Sequence, residues 1–447
     1  MVIRIRIILP FIFLPLAFAE KVASAEDYQD PFETNSELFD EVSTEEGGSR
    51  VVWDIDASLL GYHQQNEVRD DLYFDPGLFV FDEQESLLAL DLSGQFSLGA
   101  HFSVYSRFAA IEHYRSNEAG TSEKETESHL LEGYFSSYTD NRRFGINVGR
   151  IKPQWSNGYN WSPANLLKAT FDRPNLDADE LTQQLGWDMA HFDFRYGRWN
   201  TGIYMAQVED NLGGHFDTKG NDHEFQYALV VNREGDLDTR LVLHQIEGEA
   251  TNVALGLSTL VGDSATLRLE GAWEHQRELP QPGELSYFPA EDDGYLKLVL
   301  GTQLSFNQGW DVTAEYLYNQ HGFDDDEWDL VQTQVDSAKN ELNSAQVYEA
   351  ISFLSDSFNL LSTGQLRQEY LFLMWGNTRL DKKFQYRQSV QYNLDDKSQY
   401  HNLELIQNWT EHFSTRLQAQ FFRGCESCEF GLLPTERLLR LSLYYDF

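Results

Sequence analysis

The last thirteen residues, Thr435-Glu-Arg-Leu-Leu-Arg-Leu-Ser-Leu-Tyr-Tyr-Asp-Phe447, decide the fold class. Every second residue from Leu439 onwards is apolar and the series ends in aromatic side chains, whereas the series that begins at Leu438 is mostly polar. Successive side chains of a β-strand point to opposite faces, so this segment predicts a strand with one apolar and one polar face. Such a strand is typical of a wall with lipid on one side and a watery lumen on the other.

The start of the chain predicts export. Arg4 and Arg6 precede an apolar stretch over residues 7–18, and the small residues Ala23-Ser24-Ala25 follow. This pattern predicts a cleaved signal peptide over residues 1–25. The apolar stretch is short for a membrane helix, which needs about 20 residues, although a retained anchor is the alternative. Any span of an exported chain without other long apolar runs must be a barrel, because only helices and closed barrels satisfy backbone polar groups in lipid.

Alternating runs of about ten residues recur from residue 51 to the end, as expected for membrane strands. We count eighteen runs, at about 51–62, 86–97, 100–112, 128–139, 142–152, 182–192, 198–208, 222–232, 237–247, 250–260, 264–275, 293–304, 310–320, 364–376, 382–392, 398–409, 412–422 and 435–447. The connections alternate between long and tight, which is typical of long external loops and short periplasmic turns. We therefore predict an all-β, antiparallel, up-and-down transmembrane β-barrel of about eighteen strands over residues 51–447.

Two parts of this prediction have alternatives. Sixteen strands would result if the poorly separated runs around Phe192 to Tyr196 formed fewer elements. Residues 26–50 are acidic and contain Gly47-Gly48, so we interpret them as a flexible periplasmic leader, with a small plug as the alternative.

Composition and charge agree with a barrel and exclude one class of partner. Aromatic residues make up 14% of the chain while the mean hydropathy is −0.48. A barrel needs only a thin apolar band with aromatic girdles, so this mixture is expected. The formal net charge of −39 argues against nucleic-acid binding, which needs a basic surface.

The C-terminal strand also carries a resemblance. Leu443, Tyr445 and the terminal Phe447 share one face. This arrangement resembles the C-terminal signal of Gram-negative outer-membrane barrels, which the barrel-assembly machinery reads. The resemblance, together with the predicted signal peptide, implies a porin-like barrel in the outer membrane, surrounded by lipid and lipopolysaccharide. A homo-oligomer is left open.

Charged residues within the alternating runs are assigned to the lumen. An Arg or Lys that faces lipid at mid-membrane costs about 2–4 kcal/mol, so the polar face must point inward. The predicted lumen charges are Arg107, Arg240, Arg268, Glu270, Arg367, Glu369, Arg387, Glu404, Arg416 and Arg440. Rings of charge set the selectivity of pores, which favours selection of a polar or charged solute. Alternatively, these charges pair across strands and only keep the interior hydrated.

The segment from Val148 to Leu167 is a second local feature. Gly149-Arg150 ends a run, and Trp155, Gly158 and Trp161-Ser162-Pro163 follow. The segment resembles the Gly-Arg, Trp-Gly and Asn-Pro or Ser-Pro pattern at which a loop enters the pore in porin-like and alginate-export-like outer-membrane barrels. Gly158 departs from that pattern, in which it directly follows the tryptophan.

The chemistry of this segment suits a constriction. Its tryptophan and tyrosine rings offer flat surfaces for sugar rings, and its polar side chains offer hydrogen-bond donors. An inward-folded loop near residues 153–181 would then form both a constriction and a solute site. The candidate residues are Arg150, Lys152, Trp155, Asn157, Tyr159 and Trp161. Alternatively, the aromatic rings seal the loop against the barrel wall or belong to the interfacial girdle.

Two features of the predicted external loops, the acidic clusters and the cysteine pair, each have more than one interpretation. Carboxylates cluster in residues 67–85, 291–293 and 324–329 and could recruit Ca²⁺ or Mg²⁺ weakly, although solvated acidic loops are the simpler interpretation. Otherwise we predict no cofactor and no metal site. Cys425 and Cys428 lie close together in the last external loop, where a disulfide is favoured over a metal site.

These observations predict a passive outer-membrane channel for a small polar or charged solute. No nucleophile elbow or His-rich metal motif is present, so we do not expect an enzyme. One alternative is an exporter of a secreted polysaccharide that works with a periplasmic partner. Another is a surface enzyme or adhesin on a barrel scaffold.

Overall fold

The computed structural model describes residues 51–69, 72–74, 81–99, 101–117, 121–153, 155–156, 158–167, 186–209, 223–288, 294–306, 309–342, 346–361, 364–377 and 383–447. The predicted signal peptide (1–25) and leader (26–50) lie outside these residues, as does Asn157. None of the helices in the described segments is both long enough and apolar enough to cross a membrane.

Eighteen antiparallel strands form one sheet that closes on itself. The barrel strands are β1 (Val51–Val68), β2 (Gln84–Leu98), β3 (Phe102–Ser116), β4 (Ser122–Tyr138), β5 (Phe144–Ile151), β6 (Trp187–Tyr196), β7 (Trp199–Glu209), β8 (His223–Arg233), β9 (Leu237–Ile246), β10 (Thr251–Val261), β11 (Ala265–Glu274), β14 (Tyr295–Phe306), β15 (Trp310–Asn319), β16 (Glu369–Asn377), β17 (Phe384–Asn393), β18 (Gln399–Asn408), β19 (Phe413–Arg423) and β20 (Thr435–Asp446). Two short strands, β12 (Gln281–Pro282) and β13 (Tyr287–Phe288), form a separate hairpin. Each barrel strand pairs with the next, and β1 pairs with β20, which completes the barrel.

The strand count confirms the prediction of about eighteen and shows that the alternative of sixteen is wrong. The doubtful region resolves into β6 and β7, in which Tyr196 pairs with Trp199 across a tight turn. Gly197 supplies the positive φ of 59° that such a turn requires, which glycine adopts without steric cost. The glycine turn therefore marks the boundary between two strands that the pattern of hydrophobic alternation alone does not distinguish.

The predicted faces of the C-terminal strand are confirmed. Leu438 and Arg440 are 3% and 8% exposed and point inward, whereas Leu439 and Leu441 are 51% and 50% exposed and point outward. The outward series continues through Leu443 and Tyr445 to the terminus. An outer wall of exposed leucine and aromatic side chains is the surface that lipid requires.

The described parts of the external loops assemble into a body with its own apolar core. Helices α1 (Asp325–Glu341) and α2 (Val347–Leu360) lie in the longest loop and bury Val331, Val335, Phe353 and Leu354 completely. Phe74 from the first loop, Leu279 from the β11–β14 connection and Leu432 from α3 (Glu429–Leu432) pack against them. We call the described parts of residues 72–74, 277–287, 323–366 and 428–433 the external cap.

The acidic run Asp324 to Glu327 has a structural role at the start of α1. The Asp324 carboxylate accepts from the Glu327 backbone N–H, and the Glu327 side chain accepts from the Asp324 N–H, forming a capping box. Glu327 also accepts two hydrogen bonds from Arg277, at 2.5 and 2.6 Å. Carboxylates at a helix N-terminus interact favourably with the helix dipole, so this cluster stabilises the cap.

The base of the cap is joined to the barrel rim at Glu429. Its carboxylate accepts from the Leu366 N–H at 3.1 Å, and from the Tyr370 hydroxyl and the Asn393 amide at 2.6 Å each. The preceding Cys428 forms a disulfide with Cys425. Burial, with Asp396 nearby, raises the pKa of Glu429 to about 8, because the charged form is poorly solvated there. One buried carboxyl group thus links the last external loop to β16 and β17.

We predict that the cap is less stable at high pH. The pKa of Glu429 is higher in the folded state than its ordinary 4.5, so its stabilising effect is complete below about 4.5 and is lost as pH rises through about 8. Amide hydrogen exchange in α1 and α2, corrected for the intrinsic rate, should therefore be slower at low pH. Glu429→Gln should flatten this pH dependence, whereas Glu426→Gln, at an exposed position of the same loop, should not. An unchanged profile in Glu429→Gln would contradict the prediction.

Candidate functional site

The chain enters the barrel after β5. Trp155 and Trp161 are 2% and 1% exposed, and Ala164 is fully buried. Their contacts are with side chains on the inner faces of the barrel strands. We call the described residues of 152–167 the inward loop.

Two inward-facing glutamates hold the inward loop. The Glu315 carboxylate on β15 accepts from three successive backbone N–H groups, those of Tyr159 at 2.6 Å, Asn160 at 2.8 Å and Trp161 at 3.3 Å. Glu270 on β11 accepts from the Ser156 hydroxyl at 2.6 Å. Both carboxylates are 2% exposed. Charge-assisted hydrogen bonds of this kind are stronger than neutral ones, so these glutamates determine the path of the loop.

A positively charged side chain, that of Arg240, holds the inward loop at a third point. Arg240 on β9 donates to the Trp155 carbonyl oxygen, and its Nε donates to Asn232 at 2.7 Å. The loop is thus attached to β9, β11 and β15 by polar contacts to its backbone and to Ser156.

Aromatic contacts supply the rest of the attachment. Trp155 meets Tyr204 edge-on, with ring centroids 4.9 Å apart. Tyr159 stacks on Phe372 at 5.9 Å, and Trp161 packs edge-on against the same ring at 6.1 Å. Such pairs contribute about 0.5–1.5 kcal/mol beyond simple area burial. The loop therefore follows the inner wall from β7 to β16.

The wall beneath the loop is built of small apolar residues. The inward positions of five consecutive strands, β7 to β11, carry Ala206, Ala228, Val242, Ala254 and Ala272, all at most 5% exposed. A lumen that only held water would favour polar side chains here. These short side chains leave space for Trp155, Leu166 and Leu167.

Gly158 is required by a close approach within the loop. A Cβ atom at this position would overlap the Trp161 carbonyl oxygen. The Gly158 N–H donates to the Ser156 hydroxyl at 3.1 Å. The loop therefore turns between its two glutamate anchors at the glycine that the sequence pattern singled out.

The prediction for Arg150 is wrong, because its side chain lies on the outer wall. Arg150 shares its strand face with Val148, which is 45% exposed, and pairs with Asp188 on β6 through contacts of 2.9 and 3.0 Å. Asp188 in turn shares the outward face with Phe192. Strand alternation places Arg150 opposite to the lumen, and the ion pair makes this outward charge tolerable.

The other candidate residues of the loop differ in how accessible their side chains are to a solute. Trp155 and Trp161 are covered by the barrel wall, as the sealing alternative describes, so their rings are not open platforms for a solute. Tyr159 is only partly buried, and Lys152 is exposed, with its backbone N–H 3.4 Å from Glu132. Among the described candidates, these two side chains remain accessible to a solute.

Most of the predicted lumen charges do face inward, and several are paired. The Arg107 Nε donates to both carboxylate oxygens of Asp91, at 3.0 and 3.1 Å, and Arg387 lies 3.5 Å from Glu404. The guanidinium groups of Arg416 and Arg440 stack on tyrosines, at 5.0 Å from the Tyr444 ring and 4.4 Å from the Tyr62 ring. Arg268 donates to Gln303 at 3.1 Å.

Two predicted lumen charges are placed differently by the structure. Glu369 faces outward, because the inward face of β16 consists of Tyr370, Phe372 and Met374, which meet the inward loop. Arg367 precedes β16 and lies in the cap, where it pairs with Asp325 and packs on Trp328. The expectation that charged residues face the lumen fails for Glu369, because the inward face of β16 is apolar.

Within the described segments, no group of three or more His, Cys, Asp or Glu side chains is arranged so that it could hold a metal ion. The binding of divalent cations at the acidic external loops stays a prediction, and residues 291–293 lie outside the described residues.

The closed barrel, the apolar outer wall and the inward loop define a transmembrane β-barrel with a loop folded into its lumen. No family model and no curated protein matches the sequence.

Solved structures with the same fold do exist. OccAB1 of Acinetobacter baumannii matches with a TM-score of 0.54 at 7% identity, covering 88% of this chain and 96% of the other. OccK8 (OprE) of Pseudomonas aeruginosa matches with a TM-score of 0.51 at 8% identity, covering 88% and 98%. OpdL of Pseudomonas aeruginosa matches with a TM-score of 0.51 at 10% identity over the same shares. At such low sequence identities, the structural similarity establishes the fold alone.

We predict that Glu315→Ala releases the inward loop. The substitution takes the acceptor from three backbone N–H groups, and a buried donor without a partner costs about 1–3 kcal/mol. The loop should then leave the wall for much of the time, which single-channel recordings would detect as noisier current with altered conductance.

A matched control separates this effect from loss of charge. Asp91→Ala removes an inward carboxylate that pairs with Arg107 on β3 rather than with the loop. Gly158→Ala, which leaves every charge in place, should reproduce the Glu315→Ala recordings. Identical current noise in Glu315→Ala and the unmodified protein would show that the loop does not depend on Glu315.

Proposed function

We propose that this protein is a passive outer-membrane channel for small polar or charged solutes, with the inward loop as its constriction. The observation that carries the proposal is the attachment of this loop to the inner wall through Glu270 and Glu315. A loop fixed in this way narrows the lumen permanently at one level. It thereby limits the size of solute that can pass.

The charges that remain on the lumen wall support selection by charge. Glu270 and Glu315 are occupied by the loop. Arg387, Arg416 and Arg440 point inward from β17, β19 and β20, on a part of the wall that the described loop contacts leave uncovered. Tyr159 of the loop lies within electrostatic range of Arg387. A solute that passes this part of the wall would meet both the tyrosine and guanidinium groups.

The mechanism of such a channel is diffusion through a site of fixed geometry. Charged side chains in a pore attract ions of opposite sign, and weak binding lets the solute leave again. Lys152 and Tyr159 are the loop residues that we assign to the solute path. No step of this mechanism requires a covalent intermediate or a cofactor, so the proposed channel is not an enzyme.

The outward face of the C-terminal strand supports a role in membrane insertion. Leu443, Tyr445 and Phe447 are 46%, 43% and 72% exposed on the outer wall. A machinery that reads this strand before the barrel closes would find all three side chains on one face.

We expect the lumen arginines to set ion selectivity. Replacing Arg387, Arg416 and Arg440 by Gln removes three positive charges from the inner wall, so the reversal potential in a salt gradient should shift toward cation preference. The measurement is single-channel conductance of the refolded protein in planar bilayers. Asp54→Asn with Asp56→Asn, on the inward face of β1 near its periplasmic end, should shift the potential less and in the opposite direction.

Two results would count against the channel. A demonstrably folded barrel that shows no conductance contradicts passive passage and favours an exporter that opens with a partner. A conducting pore with an unchanged reversal potential in the arginine variant contradicts only the assignment of selectivity.

A further inference from the structure

The outer wall at β18 is unusually polar for a surface in lipid. Its outward positions carry Gln399, His401, Leu403, Leu405 and Gln407, so apolar side chains occupy only the two central ones. On β20 the corresponding series, Leu439, Leu441, Leu443 and Tyr445, is apolar throughout below Arg437. The lipid-facing band of a barrel is about 25 Å tall, and two leucines do not span it.

A glutamine on the neighbouring strand extends this polar surface into the middle of the wall. Gln388 faces outward on β17, midway between the outward aromatic residues Phe384 and Tyr392. Its side-chain oxygen accepts from the Tyr386 hydroxyl at 2.6 Å. Within the described residues its amide N–H groups have no acceptor. Hydrocarbon offers none either, and an unpaired polar group there is costly.

A groove adjoins this glutamine on the same wall. It has a volume of about 220 Å³ and is lined by Gln388, His401, Asn402, Leu403, Phe421 and Arg423. Arg423 is exposed at the external end of β19 and forms no ion pair with any described residue. The wall of β17 to β19 therefore combines a recess with unsatisfied donors, whereas lipid would favour a smooth apolar surface.

We propose that the outer wall of β17, β18 and β19 is the surface through which a second copy of this chain docks in the membrane. Two copies in one bilayer share their orientation, so a two-fold axis along the membrane normal brings identical residues together at the same depth. The glutamine amide is self-complementary, since it carries both a donor and an acceptor. Paired Gln388 side chains satisfy each other, and polar contacts of this kind hold membrane-embedded elements together.

Lipid is the competing occupant and fits this wall less well. An acyl chain could fill the groove, but it supplies no acceptor to the Gln388 amide at its depth. His401 already contacts the Gln399 side-chain oxygen at 3.0 Å, so Gln388 is the group that a second protein surface would satisfy.

The first experiment measures the mass of the assembly by native mass spectrometry of the full chain released from lipid nanodiscs. The unmodified protein should be dimeric. Gln388→Leu combined with His401→Leu should be monomeric, with its folded state checked by heat-modifiable migration in gels. Gln207→Leu is the matched control, because Gln207 is an outward glutamine on β7, on the opposite side of the barrel, and it should stay dimeric.

The second experiment tests the geometry of the interface. The only two cysteines of the chain are joined to each other, so an introduced cysteine is the only free thiol. Gln388→Cys should form covalent dimers on mild oxidation in native membranes, and Gln207→Cys should not. A monomeric unmodified protein, a double variant that stays dimeric, or cross-linking at Gln207 instead of Gln388 would each overturn the proposal. A monomer whose thermal stability rises in the double variant would identify lipid as the occupant.

Discussion

The pairing of β1 with β20 is the interaction on which the rest of the structure depends. In hydrocarbon, each backbone N–H or C=O group without a partner costs several kcal/mol, so a membrane sheet with two free edges is not viable. The hydrogen-bonded register from Ser58 opposite Asp446 to Val68 opposite Thr435 joins the first strand to the last. Once that seam is closed, the outer wall can be apolar and the inner wall can hold charges that no exposed sheet in lipid would tolerate.

The inner wall is divided between water and protein. On β7 to β11 and on β16, its inward residues are small or apolar because they pack against the inward loop. On β17, β19 and β20 the inward residues include arginines. Glu270 and Glu315 lie among the apolar positions and are nevertheless stable, because the loop backbone and Ser156 satisfy them. The loop therefore determines which lumen charges stay uncovered on the inner wall.

Alternation of side chains was sufficient to predict the barrel, its strand order and most of its faces, because lipid imposes one simple rule on every outward position. That rule fails where a second protein layer replaces water. Phe372 and Met374 point inward on β16, which displaced Glu369 from its predicted face. The small apolar residues on five successive strands, four alanines and Val242, were a signal for a docked loop, but this signal is visible only when inward positions are compared across strands.

Other features depend on contacts between residues distant in sequence. The apolar core of the cap joins Phe74, Leu279, Val331 and Leu432 from four separate loops, and no local pattern links them. The outward position of Arg150 followed from strict alternation with Val148, and the resemblance of its neighbourhood to a pore loop concealed it. The capping box of α1 was readable in the sequence, since Asp324 and Glu327 have the required spacing.

The anchoring of the inward loop has a consequence for the order of assembly. The hydrogen bonds from Ser156 to Glu270 and from Tyr159 to Glu315 connect residues 114 and 156 positions apart. Contacts of such separation form only after the intervening chain has been organised, because closing a long loop has an entropic cost. Strands β11 and β15 must therefore be in place before residues 155–161 have anything to bind. During its biogenesis the barrel therefore forms before the inward loop is attached to its inner wall.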